Sequence, residues 1–214
     1  MTGRAPRGGI FRSAPGRGPG AAQRYGPAAG EPPLFADPRR WGSLIGLVGG
    51  ITFIGSYSSV LGTVVSTIAW AAGLALVIVA LFAHFVRPVP LGPLARPRPL
   101  ALATYCGCVI GELALLALGS RVLITAGHSE LRPALIAAVV GLHFIPFAWA
   151  FHERMFLYLG GAVAVCGAVG LLAGALGVLH AADALAVVAG FVMLTIITLY
   201  ALGRFVRPAL AQPE

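Results

Sequence analysis

The chain contains no lysine and only seven acidic residues, and charged residues make up just 10% of its 214 positions. Soluble globular domains carry roughly 25% charged residues, so a water-soluble enzyme is excluded at once. Also missing are a GxGxxG or Walker phosphate loop, an HExxH metal helix and a convincing Ser-His-Asp arrangement. Each supplies a geometry that its chemistry needs, and without them ATP-driven transport and kinase chemistry have no support. No Asp, Glu, Lys or Arg interrupts Ser43 to Val86. At about 1.5 Å rise per residue a single helix of that length would far exceed the roughly 30 Å hydrocarbon core, so the stretch must hold two spans.

What fills the chain is apolar: 58% of its residues are hydrophobic. The runs are continuous instead of alternating, which favours helices over a transmembrane β-barrel. The fold class read from them is all-α, a polytopic membrane helix bundle with six transmembrane helices. Spans are expected near residues 43–60, 63–85, 100–120, 133–151, 156–179 and 184–202. The patch Gly55-Ser56-Tyr57-Ser58-Ser59 followed by Gly62 marks the first turn, and the prolines of Arg87-Pro88-Val89-Pro90 and Arg96-Pro97-Arg98-Pro99 mark a loop. Three regions follow: a tail at 1–40, a six-helix domain at 41–207 and a short C-terminal tail at 208–214.

All fifteen basic residues are arginines, the formal net charge is +8, and seven arginines precede residue 41. A segment so rich in Gly, Pro, Ala and Arg cannot bury enough apolar surface to offset its ordering entropy, so the tail is read as disordered. Its apolar neighbour begins too late for a secretory signal, and the tail is expected to stay attached. Arg7-Gly8-Gly9 invites an RNA reading, but stacking aromatics are nearly absent there, and contact with anionic lipid head groups is the better account. No nucleic-acid partner is expected. With the N-terminus cytoplasmic, thirteen of the fifteen arginines fall on the inner side, leaving Arg121 and Arg132 outside. That bias places a multi-pass protein in the cell inner membrane with both termini cytoplasmic. Arginine without lysine, amid much Ala and Gly, suits a bacterium with a GC-rich genome.

Helices in lipid associate through close contact at small residues. Gly42, Gly46 and Gly50 are spaced by four on the first span, as are Gly107 and Gly111 on the third. Gly160, Gly167 and Gly174 recur every seven residues on the fifth, with Gly170 and Gly177 beside them, so this span is expected to be the central helix. The glycine faces also allow a homo-oligomer or a membrane-protein partner. Phe144, Phe147, Trp149 and Phe151 fill grooves or sit at the interface, with an aromatic ligand box as the alternative.

Glu112 is the conspicuous formal charge inside a span. A carboxylate there normally faces protein, water or a partner, as a proton-coupling group, a cation ligand, a substrate contact or a plain interhelical acid. His143 is mid-span, and Pro146 three residues later removes the hydrogen bond to the Leu142 carbonyl, so the two could frame a polar pocket or merely adjust packing. His152, Glu153 and Arg154 follow at the inner boundary, either solvated or forming the mouth of a path toward His143. His143 and His152 lie nine residues apart, on opposite sides of a helix, and so do not share a metal. His128, Glu130 and Arg132 lie in one outer loop and His180 and Asp183 in another; a histidine-carboxylate metal site between the loops is chemically allowed, but the spacing matches no known motif and ordinary loop polarity is the better reading. Cys106, Cys108 and Cys166 read as small buried hydrophobes. No cofactor is called for.

Residues 141–161, GLHFIPFAWAFHERMFLYLGG, resemble a segment of small bacterial multi-pass membrane proteins of unassigned function, in which Gly-Leu-His-Phe and a following Pro precede a short loop. The resemblance covers about a tenth of the chain and implies a six-helix protein with no particular activity. The functional expectation is a small transporter or permease with Glu112 and His143 along a polar path. The alternative is a non-enzymatic accessory subunit assembled through glycine faces. A membrane enzyme ranks third, because candidate reactive groups are scattered across spans and sides.

Overall fold

Asp37 caps the first α-helix among the described residues. In the computed structural model, which describes residues 33–91, 99–151 and 153–205, the Asp37 side chain accepts a hydrogen bond from the Arg39 backbone N–H at 2.9 Å. Pro38 occupies the first helical turn, where a missing N–H costs nothing. Helix α1 therefore runs Pro38–Tyr57, preceded by a 3₁₀ turn at Leu34–Ala36. Arg39 and Arg40, read as the last residues of the tail, belong to its first turn. The rest of the tail, to residue 32, lies outside the described residues, as do Arg96, Arg98, His152 and the C-terminal stretch 208–214.

A 3₁₀ turn at Ser58–Leu61 closes α1, and Gly62 reverses the chain at φ 99°, a left-handed value that glycine takes without strain. Helix α2 follows at Thr63–Phe85, and a hydroxyl pair joins Ser58 to Ser66 across the turn at 2.9 Å. The remaining helices are α3 at Pro99–Thr125, α4 at Arg132–Ala150, α5 at Arg154–Ala175 and α6 at Ala181–Ala201. All six are long and apolar enough to cross a membrane. α3 outlasts its expected end at 120 and carries Arg121 within the helix.

The central helix is α6, not α5. It packs against α1, α2, α4 and α5, and twelve of its residues are buried against six of α5. Glycine spacing led the expectation astray because a glycine line brings two backbones together pairwise. A centre needs small side chains on several faces, which α6 supplies with Ala182, Ala186, Ala189, Gly190 and Ala201.

The closest approach is between α4 and α5. A Cβ on Gly167 would lie 2.5 Å from the Ala138 Cα and 2.7 Å from the Ala134 carbonyl oxygen, and one on Gly160 would lie 2.6 Å from the Gly141 carbonyl oxygen. Gly170 meets Ala134 and Leu185, Gly174 meets Leu131, and Gly46 and Gly50 approach Ile197 and Leu194 of α6. Two expected packing glycines do not pack. Among the described residues a Cβ on Gly42 would meet nothing within 4 Å, and neither would one on Gly177, which at φ 82° serves the turn after α5. Gly107 and Gly111 are open too. Their helix, α3, has its one substantial helix contact with α4, and no residue of its span is buried.

Candidate functional site

Tyr105, Glu112 and Gly119 are spaced by seven on α3 and so share one line of the helix. The Tyr105 ring stacks on Phe147 of α4 at 5.5 Å, and a Cβ on Gly119 would meet Leu135 of α4 at 2.8 Å. That line faces α4 and carries Glu112, near the middle of its span, toward His143. Glu112 Oε2 and His143 Nδ1 are 3.2 Å apart, with the side chains 21% and 10% exposed. Among the described residues Nδ1 still lacks an aligned hydrogen bond, so the two groups sit at ion-pair distance without hydrogen-bond geometry.

Aromatic rings wall the imidazole. Phe147 stands edge-on at 4.6 Å and Phe144 at 5.4 Å, and Phe151 and Phe156 pack on Phe147 behind them. Trp149 points away and is 63% exposed. A carboxylate and an imidazole this close can exchange a proton without changing the pair's net charge, whereas taking up one more proton makes the pair cationic in an apolar surround. Pro146 lies one turn further on, inside an α4 that continues to Ala150.

The expected inner-mouth residues divide. His152 lies outside the described residues, Arg154 opens α5, and Glu153 occupies its N-cap without a side-chain capping bond. The charged neighbours of Glu153 are Arg39 and Asp37 of α1. Burial pushes its carboxyl above the ordinary value of 4.5, while Arg39 pulls the other way. Because the folded state holds this proton more tightly than the unfolded chain, stability is greatest below the ordinary carboxylate range and falls as pH rises through the raised value. Melting curves from pH 4 upward should show wild type losing stability relative to Glu153→Gln. Parallel curves would show that the burial carries no cost.

Around Glu153 the structure assembles a polar cluster that the sequence reading missed. Asp37, Arg40, Ser43 and His84 are all at most 3% exposed. Arg39 binds Asp37 through Nε and Nη2, at 2.8 Å for the closest pair, and donates from Nη1 to the Leu91 carbonyl at 3.0 Å. Arg40 donates to the His84 carbonyl at 2.5 Å and to the Val89 carbonyl at 3.4 Å, satisfying a carbonyl at the C-terminal end of α2 that has no helical donor. Tyr200 of α6, 3% exposed, packs its ring edge-on to His84 at 6.5 Å. A signal existed in Asp37-Pro38, an N-cap followed by a first-turn proline. His84 offered none beyond its place at a helix end.

At the opposite end, His128 Nδ1 and Glu130 Oε1 lie 3.1 Å apart in the open. Among the described residues no three His, Cys, Asp or Glu side chains are grouped to hold a metal, and the free thiols are less buried than expected, Cys106 being exposed and Cys108 and Cys166 half-buried.

Fold and site together define a six-helix polytopic membrane protein. No protein-family model matches the chain, and comparisons with curated proteins and with solved structures return no match.

Proposed function

We propose that the protein is a small transporter or permease in which Glu112 and His143 carry the coupling proton. The observation supporting this reading is the 3.2 Å approach of the two side chains at matching depth on antiparallel helices. Ionisable groups within spans are costly and usually serve substrate, ion or proton pathways. The reading comes with a bacterial inner-membrane location and cytoplasmic termini, supported by the arginine bias of the loops. The resemblance of residues 141–161 to small bacterial six-helix proteins belongs with it and adds no activity.

The test is flux in proteoliposomes under an imposed pH gradient, read by an internal pH dye. Wild type is expected to move protons above the empty-vesicle rate, and Glu112→Gln, which keeps the shape of the side chain, to lose at least tenfold. Equal flux from both proteins, or none above empty vesicles, would sink the proposal.

A second reading, an accessory subunit, is favoured by the uncovered side of α3 with its open Gly107 and Gly111. Gly167 and Gly174 do not serve it, because their contacts are made within one chain.

A further inference from the structure

Where α1 begins and α2 ends, Phe35, Arg40, Trp41, Leu44 and Phe85 line a groove of about 110 Å³. Its walls are braced in advance. Phe35 stacks on Phe85 at 5.7 Å, and the Trp41 indole N–H donates to the Phe35 carbonyl at 2.9 Å, which ties the 3₁₀ turn to α1. Phe35 is 75% exposed and Trp41 56% exposed, at the level where spans end and interfacial aromatics anchor.

Arg40 is the one charged residue of the lining, and it is 3% exposed. Its two terminal nitrogens hold the His84 and Val89 carbonyls, but Nε has no hydrogen-bond partner among the described residues. A buried cationic donor facing this shortage seeks an acceptor, and an anionic one is the strongest match. Arg87, two residues beyond Phe85, adds a second positive charge at the same helix end, its guanidinium lying 5.9 Å from the Phe82 ring centroid. Apolar walls beside an unsatisfied arginine at a span end match the two halves of a phospholipid.

We propose that the groove is a binding site for an anionic glycerophospholipid. A stretch of one acyl chain lies along Leu44 and Phe85 between the Phe35 and Trp41 rings, and a phosphate or ester oxygen accepts from Arg40. The site is separate from Glu112 and His143 and stands whether or not the protein transports anything.

Native mass spectrometry of the delipidated full chain, titrated with phosphatidylglycerol or phosphatidylcholine, tests it. Wild type is expected to retain phosphatidylglycerol at least tenfold more tightly. Because an Arg40 variant would also lose the bonds to His84 and Val89, the diagnostic change is Leu44→Trp, which fills the groove and leaves those bonds in place. It should abolish the preference, and so should Phe35→Ala, which removes a wall outside the helices. Equal retention of the two lipids by wild type, or an undiminished preference in both variants, overturns the proposal.

Discussion

Gly167→Ala is expected to be among the most damaging single-methyl additions in the chain, at about 3 kcal/mol, the upper end of the usual cost of overpacking. The reason is what the new carbon would strike. Its neighbours are the Ala138 backbone nitrogen and Cα and the Ala134 carbonyl oxygen, none of which can rotate away. Relief requires α4 and α5 to separate along the interface set by Gly141, Gly160 and Gly167. Gly111→Ala is the control. Its Cβ would meet nothing within 4 Å, and alanine is the better helix former, so the change should be neutral or slightly stabilising. Reversible unfolding in mixed micelles, followed by circular dichroism, would measure both. Similar losses at the two positions would show that α4 and α5 are not in direct backbone contact.

Arg40→Met should cost about 2–4 kcal/mol despite keeping most of the side-chain length. The substitution takes donors from the His84 and Val89 carbonyls; a hydrogen bond made by a charged group contributes about 1.5–3 kcal/mol, and the bond to Val89, stretched to 3.4 Å, adds no more than about 1 kcal/mol. The damage should be local before it is global. Amide hydrogen exchange across Phe85 to Leu91 is expected to accelerate first, because the guanidinium joins the end of α2 to the segment beyond it. Unchanged exchange there would mean the contact is idle, whatever happened to overall stability.

Much of the fold was legible in the sequence because charge is so scarce. With no ionisable residue from Ser43 to Val86, chain length alone demanded two helices, and Gly62 marked their division. Glu112 and His143 stood out for the same reason, as polar groups among apolar neighbours. Which helix lies at the centre was not legible, since leucine facing lipid and leucine facing protein read alike in composition. The contrast between Gly111 and Gly167 shows the same limit: both lie in glycine-spaced runs, yet only Gly167 has a partner helix against it. The cluster of Asp37, Arg40 and His84 escaped for another reason. Arg40 meets His84 across 44 residues of chain, and neither local pattern announces the other.

The central position of α6 also orders events during synthesis. α1 and α2 pack on each other and on α6, with no substantial contact to α3, α4 or α5. Until Ala181–Ala201 has entered the bilayer, the first hairpin lacks the helix that holds most of it, while α4 and α5 can already close on each other. The nascent chain is therefore expected to hold two parts that do not yet pack on each other, and α6 is the helix that brings them together. A chain stalled before Ala181 is expected to leave the α1–α2 hairpin undocked, which crosslinking between α1 and α4 or α5 would check.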